Sequence, residues 1–145
     1  MGLLYHWYLS KVQARKGSHS VYSIRLHLVF VTKYRRKVIT KPILERMLEV
    51  FNRVCLATDC ILLEFSGEED HVHLLMDLNP KNSPSNMVNS LKSASSRILR
   101  QEFGDYLSQF YSKPVFWSGR YYAASSGGAP IEQLKEYIKN QDAPV

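Results

Sequence analysis

The chain has no run of 18 apolar residues, which excludes a membrane-spanning helix, and its first residues lack the basic-then-apolar order of a secretory leader. His6 stands where N-myristoylation would want Ser or Thr. These absences predict a cytoplasmic protein. Cysteine is scarce: Cys55 and Cys60 lie among apolar residues without a Cys-x-x-Cys pattern, and so read as buried free thiols of a reducing compartment. No glycine-rich loop ends in Lys-Ser or Lys-Thr, so a phosphate-cradling nucleotide loop is excluded. Internal repeats and low-complexity runs are also missing.

What is present is one domain's worth of chain, 145 residues, with a net charge of +6. That excess favours a polyanionic partner, and nucleic acid before membrane, because no stretch joins a basic amphipathic helix to a strongly apolar face. Residues 1 to 19 mix aromatic and basic side chains without a period and read as an appendage to a domain spanning 20 to 145. From Ser20 to Thr32 alternation predicts a strand with Tyr22, Ile24, Leu26, Leu28 and Phe30 on one face and Ser23, Arg25 and His27 on the other. Thr40 and Pro42 suit a helix start, and Ile43, Met47, Phe51 and Val54 then form an apolar stripe. Residues 60 to 68 and 71 to 78 read as a hairpin across an acidic turn. Ser83 or Ser85 caps a helix reaching Phe103, with Met87, Leu91, Ala94 and Ile98 facing inward. After an aromatic stretch, Tyr121 to Ser125 predicts a last strand. Ser125 to Gly128 then serves as a hinge before a final helix from Pro130 to Gln141, with Ile131, Leu134 and Ile138 as its docking stripe.

Four stretches carry the chemistry. In the strand opened by Asp70, alternation places His71 and His73 on one face, close enough to share a divalent cation. The run Lys33-Tyr34-Arg35-Arg36-Lys37 sets four positive charges around one ring, a composition suited to nucleic-acid backbone contact and base stacking. On the second helix, Lys92, Ser93, Ser96, Arg97 and Arg100 form a basic, hydroxyl-rich face able to donate to phosphates. On the final helix, Gln133, Tyr137 and Gln141 follow one line at four-residue spacing, so Tyr137 and Gln141 can face a cleft together.

Four pieces in order, His27-Leu28-Val29-Phe30 running into Lys33-Tyr34-Arg35-Arg36, Asp70-His71-Val72-His73-Leu74-Leu75, Phe116-Trp117-Ser118 with Tyr121-Tyr122, and Gly127-Gly128-Ala129-Pro130 through Tyr137 to Gln141, resemble the HUH single-tyrosine transposases (TnpA type) of bacterial and archaeal insertion sequences over roughly residues 20 to 142. The resemblance implies an α+β domain with a ferredoxin-like, RRM-like antiparallel sheet in the order βαββαβ, followed by a helix carrying the tyrosine. It also implies a metal-dependent single-strand DNA transposase that cuts and rejoins element ends through a 5'-phosphotyrosine. Tyr137 would be the nucleophile, and His71, His73 and Gln141 would be ligands of Mg or Mn. Single-stranded DNA, in hairpin ends of an insertion sequence, would be the substrate. DNA contacts would come from Lys33, Tyr34, Arg35, Arg36 and Lys37 and from Lys92, Arg97 and Arg100. The resemblance further implies a homodimer in which the histidines of one subunit meet the tyrosine of the other. Two competing readings are an HUH nickase of the replication or repeat-associated type, and a non-catalytic single-strand-binding module. A covalent adduct with an oligonucleotide would dismiss the latter.

Overall fold

A computed structural model of the chain describes residues 2, 5–6, 14–17, 21–125 and 136–140. Its centre is a five-stranded antiparallel sheet in the order β1-β5-β6-β4-β7. The strands are β1 (Tyr5–His6), β4 (Arg25–Val31), β5 (Ile61–Gly67), β6 (His71–Asp77) and β7 (Tyr122–Ser125), while β2 (Arg15–Lys16) and β3 (Val21–Tyr22) pair separately. Helix α1 (Lys41–Ala57) connects β4 to β5, and α2 (Pro84–Glu102) with the short α3 (Gly104–Leu107) leads from β6 towards β7. Each connection steps over one strand, which gives the interlocked split-βαβ arrangement of the ferredoxin-like fold.

The alternation expected for β4 holds from Leu26 onward: Leu26, Leu28 and Phe30 are buried, and the half-buried Arg25 and His27 lie on the other face. It fails at Ile24, which is 38% exposed. The single strand expected from Ser20 is interrupted there, because Val21–Tyr22 turns aside to pair with Arg15–Lys16. Arg15 reaches back to the sheet, its Nε donating to the Asp77 carboxylate at 2.9 Å. The described parts of residues 1 to 19 are therefore bound to the domain by backbone pairing, with β1 along the edge of β5.

Thr40 caps α1, its hydroxyl accepting from the Ile43 amide. The stripe of α1 is wider than expected, since Leu44, Val50 and Cys55 are buried with Ile43, Met47 and Phe51, whereas Val54 lies at the margin. Ser83 caps α2, whose buried face is rotated from the expected one: Met87, Val88, Leu91, Ser95 and Leu99 point inward, and Ala94 and Ile98 are only half-buried. The reason is polar. Ser95 Oγ donates to the Leu91 carbonyl at 2.7 Å and accepts from the Trp117 indole at 2.9 Å, so a buried hydroxyl and a buried indole satisfy each other. Cys55 and Cys60 are buried free thiols, and burial, aided by Cys60, pushes the Cys55 thiol up to about 12.

Both long helices pack on one face of the sheet, against Leu28, Phe30, Leu62, Phe65, Val72, Leu74 and Met76. Gly67 permits that approach at the hairpin end: a Cβ there would stand 2.5 Å from Leu44 Cδ1 and 2.9 Å from Val72 Cγ1. Among the described residues no helix is long and apolar enough to cross a membrane.

Candidate active site

The opposite face of the sheet carries the histidines. In β6, Val72, Leu74 and Met76 are fully buried against the helices, so strand alternation turns His71 and His73 to the other side, half-buried. Antiparallel register places His71 beside Val31 and His73 beside Val29. Tyr122 on β7 also pairs with Val29, so a row across three strands runs Tyr122, Val29, His73 on one face.

The hairpin turn before His71 is anchored through its backbone. The Glu69 carbonyl accepts from the Ile39 amide at 2.9 Å, and the Asp70 carbonyl accepts from the Thr32 amide at 2.9 Å and from its hydroxyl at 3.1 Å. Asp70 is thereby buried, although its neighbours Glu68 and Glu69 are exposed. Its carboxylate lies 2.8 Å from His71 Nδ1 and accepts from Arg35 Nε at 3.3 Å. The His71 hydrogen bond, supported by Arg35 and opposed by burial, holds the Asp70 carboxyl below its usual range. An ionised carboxylate can only accept, so His71 carries a proton on Nδ1 in this contact, which leaves Nε2 as the nitrogen not tied to Asp70.

His73 has a partner that the sequence pattern did not single out. Its Nε2 lies 2.9 Å from Nδ1 of His27, and the two rings stack with centroids 5.1 Å apart. One of these nitrogens donates and the other accepts. Burial lowers the pKa of both imidazoles; for His73 the neighbouring His27 adds to this, and for both the Glu64 carboxylate opposes it. Glu64 reaches this face through a β-bulge: Leu62 pairs with Met76, Leu63 is extra, and Glu64 then pairs with Leu75. The alternation of β4 had placed His27 on the outer face, and the missing signal was the neighbour that face would meet.

Tyr137 lies in a helical turn, residues 136–139, with its ring tilted against Tyr122 at 5.4 Å between centroids. Burial raises its phenol pKa, opposed by the charge of Arg120, so the phenol carries its proton at neutral pH. The structure thus brings Tyr137 to the edge of the histidine face within one chain. Gln141, Gln133, the hinge beyond Ser125 and most of the expected docking stripe lie outside the described residues. Among the described residues, no group of three His, Cys, Asp or Glu side chains is placed to hold a metal ion. The donor set nevertheless suits one in part: Asp70 engages His71 at Nδ1 and so leaves Nε2 as the nitrogen through which a neutral imidazole could ligate.

The basic residues separate into two groups. In the turn, Arg35 is committed to Asp70, and Arg36 donates from Nη1 to the Phe110 carbonyl at 3.0 Å and lies over the Tyr34 ring. Tyr34 and Lys37 are exposed and Lys33 is half-buried. On α2, Lys92, Ser93, Ser96, Arg97 and Arg100 line one wall of a groove of about 550 Å³, and Pro114 to Gly119 line the other. Lys92 is turned into the fold, donating to the Ser118 and Arg120 carbonyls at 2.6 and 3.2 Å, while Arg97 stays exposed.

A four-strand ferredoxin-like core with a histidine pair on its open face and a tyrosine helix at the sheet edge defines the HUH fold of DNA-processing transposases. Within that class, the chain belongs to the family described as "Transposase IS200 like", which matches residues 20–141. It is 31% identical over 124 residues to the transposase for insertion sequence element IS200 of Salmonella typhimurium, covering 86% of this chain and 80% of that protein. It is 22% identical to the ISDra2 transposase TnpA of Deinococcus radiodurans, covering 90% of this chain and 92% of that one. A crystal structure of a candidate transposase from Deinococcus radiodurans superposes with a TM-score of 0.81 at 27% identity, covering 89% of this chain and 98% of the other. A REP-associated tyrosine transposase bound to a REP hairpin shares the fold, with a TM-score of 0.55 at 8% identity over 87% of this chain and 68% of that one.

Proposed function

We propose that this transposase cleaves and rejoins single-stranded insertion-sequence ends through a 5'-phosphotyrosine on Tyr137. The observation that carries this reading is the shared face: Tyr137 packs on Tyr122, which lies in one cross-strand row with Val29 and His73. In the step, the Tyr137 oxygen attacks the scissile phosphorus, an O–P bond forms, and the bond to the 3' oxygen breaks. The phenol proton is lost and the departing 3' oxygen takes one up, leaving a 3'-hydroxyl and a phosphodiester on the protein. A later 3'-hydroxyl reverses the same exchange, so strands join without a nucleotide cofactor.

A tyrosine whose phenol pKa is raised by burial is a weak nucleophile, so charge developing on the phosphate needs stabilising. His71 and His73, with Gln141, would hold Mg or Mn, and that ion when bound would offset negative charge on the phosphate oxygens. Asp70 and Arg35 orient His71 for this role. The DNA-contact set is Lys33, Tyr34, Arg36 and Lys37 at the turn, and Arg97 and Arg100 in the α2 groove. Arg35 and Lys92 support those surfaces from within the fold. The substrate is single-stranded DNA, in hairpin form at the element ends, processed in the cytoplasm.

The test is incubation with end-derived oligonucleotides and Mn, followed by denaturing electrophoresis. Wild type forms a covalent adduct, and Tyr137→Phe binds the strand but forms none; an undiminished adduct in that variant removes Tyr137 as nucleophile. A homodimer is part of the proposal, and mixing decides whether the histidines and tyrosine that work together come from one subunit, as the contact of Tyr137 with Tyr122 has them, or from two. His71→Ala/His73→Ala subunits combined with Tyr137→Phe subunits regain cleavage in a trans dimer. They stay inactive if the contact of Tyr137 with its own Tyr122 is the working arrangement.

A further inference from the structure

Tyr34 is held where an aromatic residue is expensive. Its φ is 59° and that of Arg35 is 52°, both left-handed, a region that a side chain with a Cβ occupies only with strain that glycine escapes. The surroundings are built around this conformation. Thr32 Oγ1 donates to the Arg36 carbonyl at 2.7 Å, the Tyr111 hydroxyl donates to the Lys33 carbonyl at 2.8 Å, and the Lys33 amide donates to the Phe116 carbonyl at 2.9 Å. The result is a ring presented outward, 41% exposed, with the Lys33 ammonium 5.3 Å and the Arg36 guanidinium 5.8 Å from its centroid.

Beside the ring lies a cavity of about 380 Å³, with Lys33, Arg36, Tyr111 and Lys113 in its walls. That volume is at the small end of the range for ligand sites, about 300–1,000 Å³. Three cations line it, and no carboxylate occurs among the described residues that do. Arg36, one of the lining residues, has its Nε buried with no hydrogen-bond partner among the described residues, a donor left over inside the protein. An aromatic face, a spare buried donor and flanking ammonium groups match the three parts of a nucleotide: a π-surface, ring acceptors and a phosphate.

We propose that this cavity receives one unpaired nucleobase of the single-stranded DNA, stacked on Tyr34, with its acceptor atoms towards Arg36 and its adjoining phosphate on Lys33 and Lys113. The inference rests on the reading of the protein as a single-strand DNA enzyme and adds to it a pocket for one base. Strain in the backbone is then retained because it aims the ring, which glycine could not supply.

The probe is a fluorescein-labelled single strand of about 15 nucleotides, titrated by anisotropy with the full chain. Tyr34→Gly should weaken binding by about 5- to 150-fold, the fold-change corresponding to stacking worth ~1–3 kcal/mol per base. Its thermal midpoint should hold or rise, because glycine is at ease at this φ. The salt dependence of binding should not change, since no charge is removed, and Tyr34→Trp should bind as wild type does. A second series leaves the protein untouched and moves an abasic site along the strand. One position should cost wild type a similar factor and cost Tyr34→Gly almost nothing, the coupling expected of two groups in contact. Equal affinity of wild type and Tyr34→Gly, or an abasic series with no coupled position, overturns the pocket while leaving the enzyme reading intact. Failure of wild type to bind the strand at all overturns both.

Discussion

The turn Lys33 to Lys37 and the outer face of α2 carry similar chemistry in the sequence, clustered positive charge beside hydroxyl or aromatic groups, yet the fold uses them differently. In the turn the backbone is strained and the cations are largely committed: Arg35 to the Asp70 carboxylate, Arg36 to the Phe110 carbonyl. On α2 the helix is regular, and Arg97 stands exposed on the groove wall. Of the α2 cations only Lys92 is drawn inward, to two carbonyls of the loop before β7. Each cation in a basic cluster is therefore either held by a partner within the fold, as Arg35 and Lys92 are, or offers its charge outward, as Arg97 does, and only partner geometry tells which.

Three variants sharpen that contrast, taken from the largest expected effect. Asp70→Asn cuts the link between the turn and His71. Mn affinity measured by calorimetry should fall about 10- to 100-fold, the usual loss when a ligand's orienting partner is removed. Unchanged affinity would leave the Arg35–Asp70–His71 chain with no part in metal binding. Arg97→Ala with Arg100→Ala should instead leave Mn affinity and thermal midpoint nearly as they were. The salt dependence of single-strand binding should flatten by roughly 0.7 for each phosphate that the protein no longer neutralises. An unaltered slope would make the α2 groove a solvated face.

The smallest effect concerns Lys92, whose burial, with the nearby Lys33 charge, lowers its pKa from 10.5 to about 8. Between those two values the unfolded chain binds the proton that the folded chain has released. Stability contributed at this position therefore rises with pH from about 8 towards 10.5. In denaturant titrations across that window, wild type should gain on Lys92→Met. Parallel curves would mean that the two carbonyl contacts keep the ammonium charged.

Gly67→Ala places a methyl against Leu44 and Val72 where α1 meets the hairpin. It should destabilise the fold by ~1–3 kcal/mol, the ordinary cost of overpacking. A full-strength domain after this change would show that α1 can retreat from the sheet.

Local pattern was enough for the order of the elements from Arg25 to Ser125, the cap at Thr40, a cap at Ser83 or Ser85, the hairpin across residues 68 to 70, and the shared face of His71 and His73. All of these follow from local periodicity and from end-capping chemistry that acts within a few residues. The sequence also carried enough pattern to indicate the family and to single out Tyr137. Tertiary structure decided the rest. Ser95 replaced Ala94 on the buried face of α2 because an indole 22 residues away needed an acceptor. Glu64 reached the histidine face because a bulge at Leu63 shifted the register. His27 met His73 because β4 lies beside β6, although the two residues are 46 positions apart. Arg35 turned to Asp70 rather than to solvent because the hairpin turn docks on Thr32 and Ile39. Each of these depends on which distant strand or loop becomes a neighbour. Side-chain alternation fixes the face on which a residue lies, and chain topology fixes what that residue meets there.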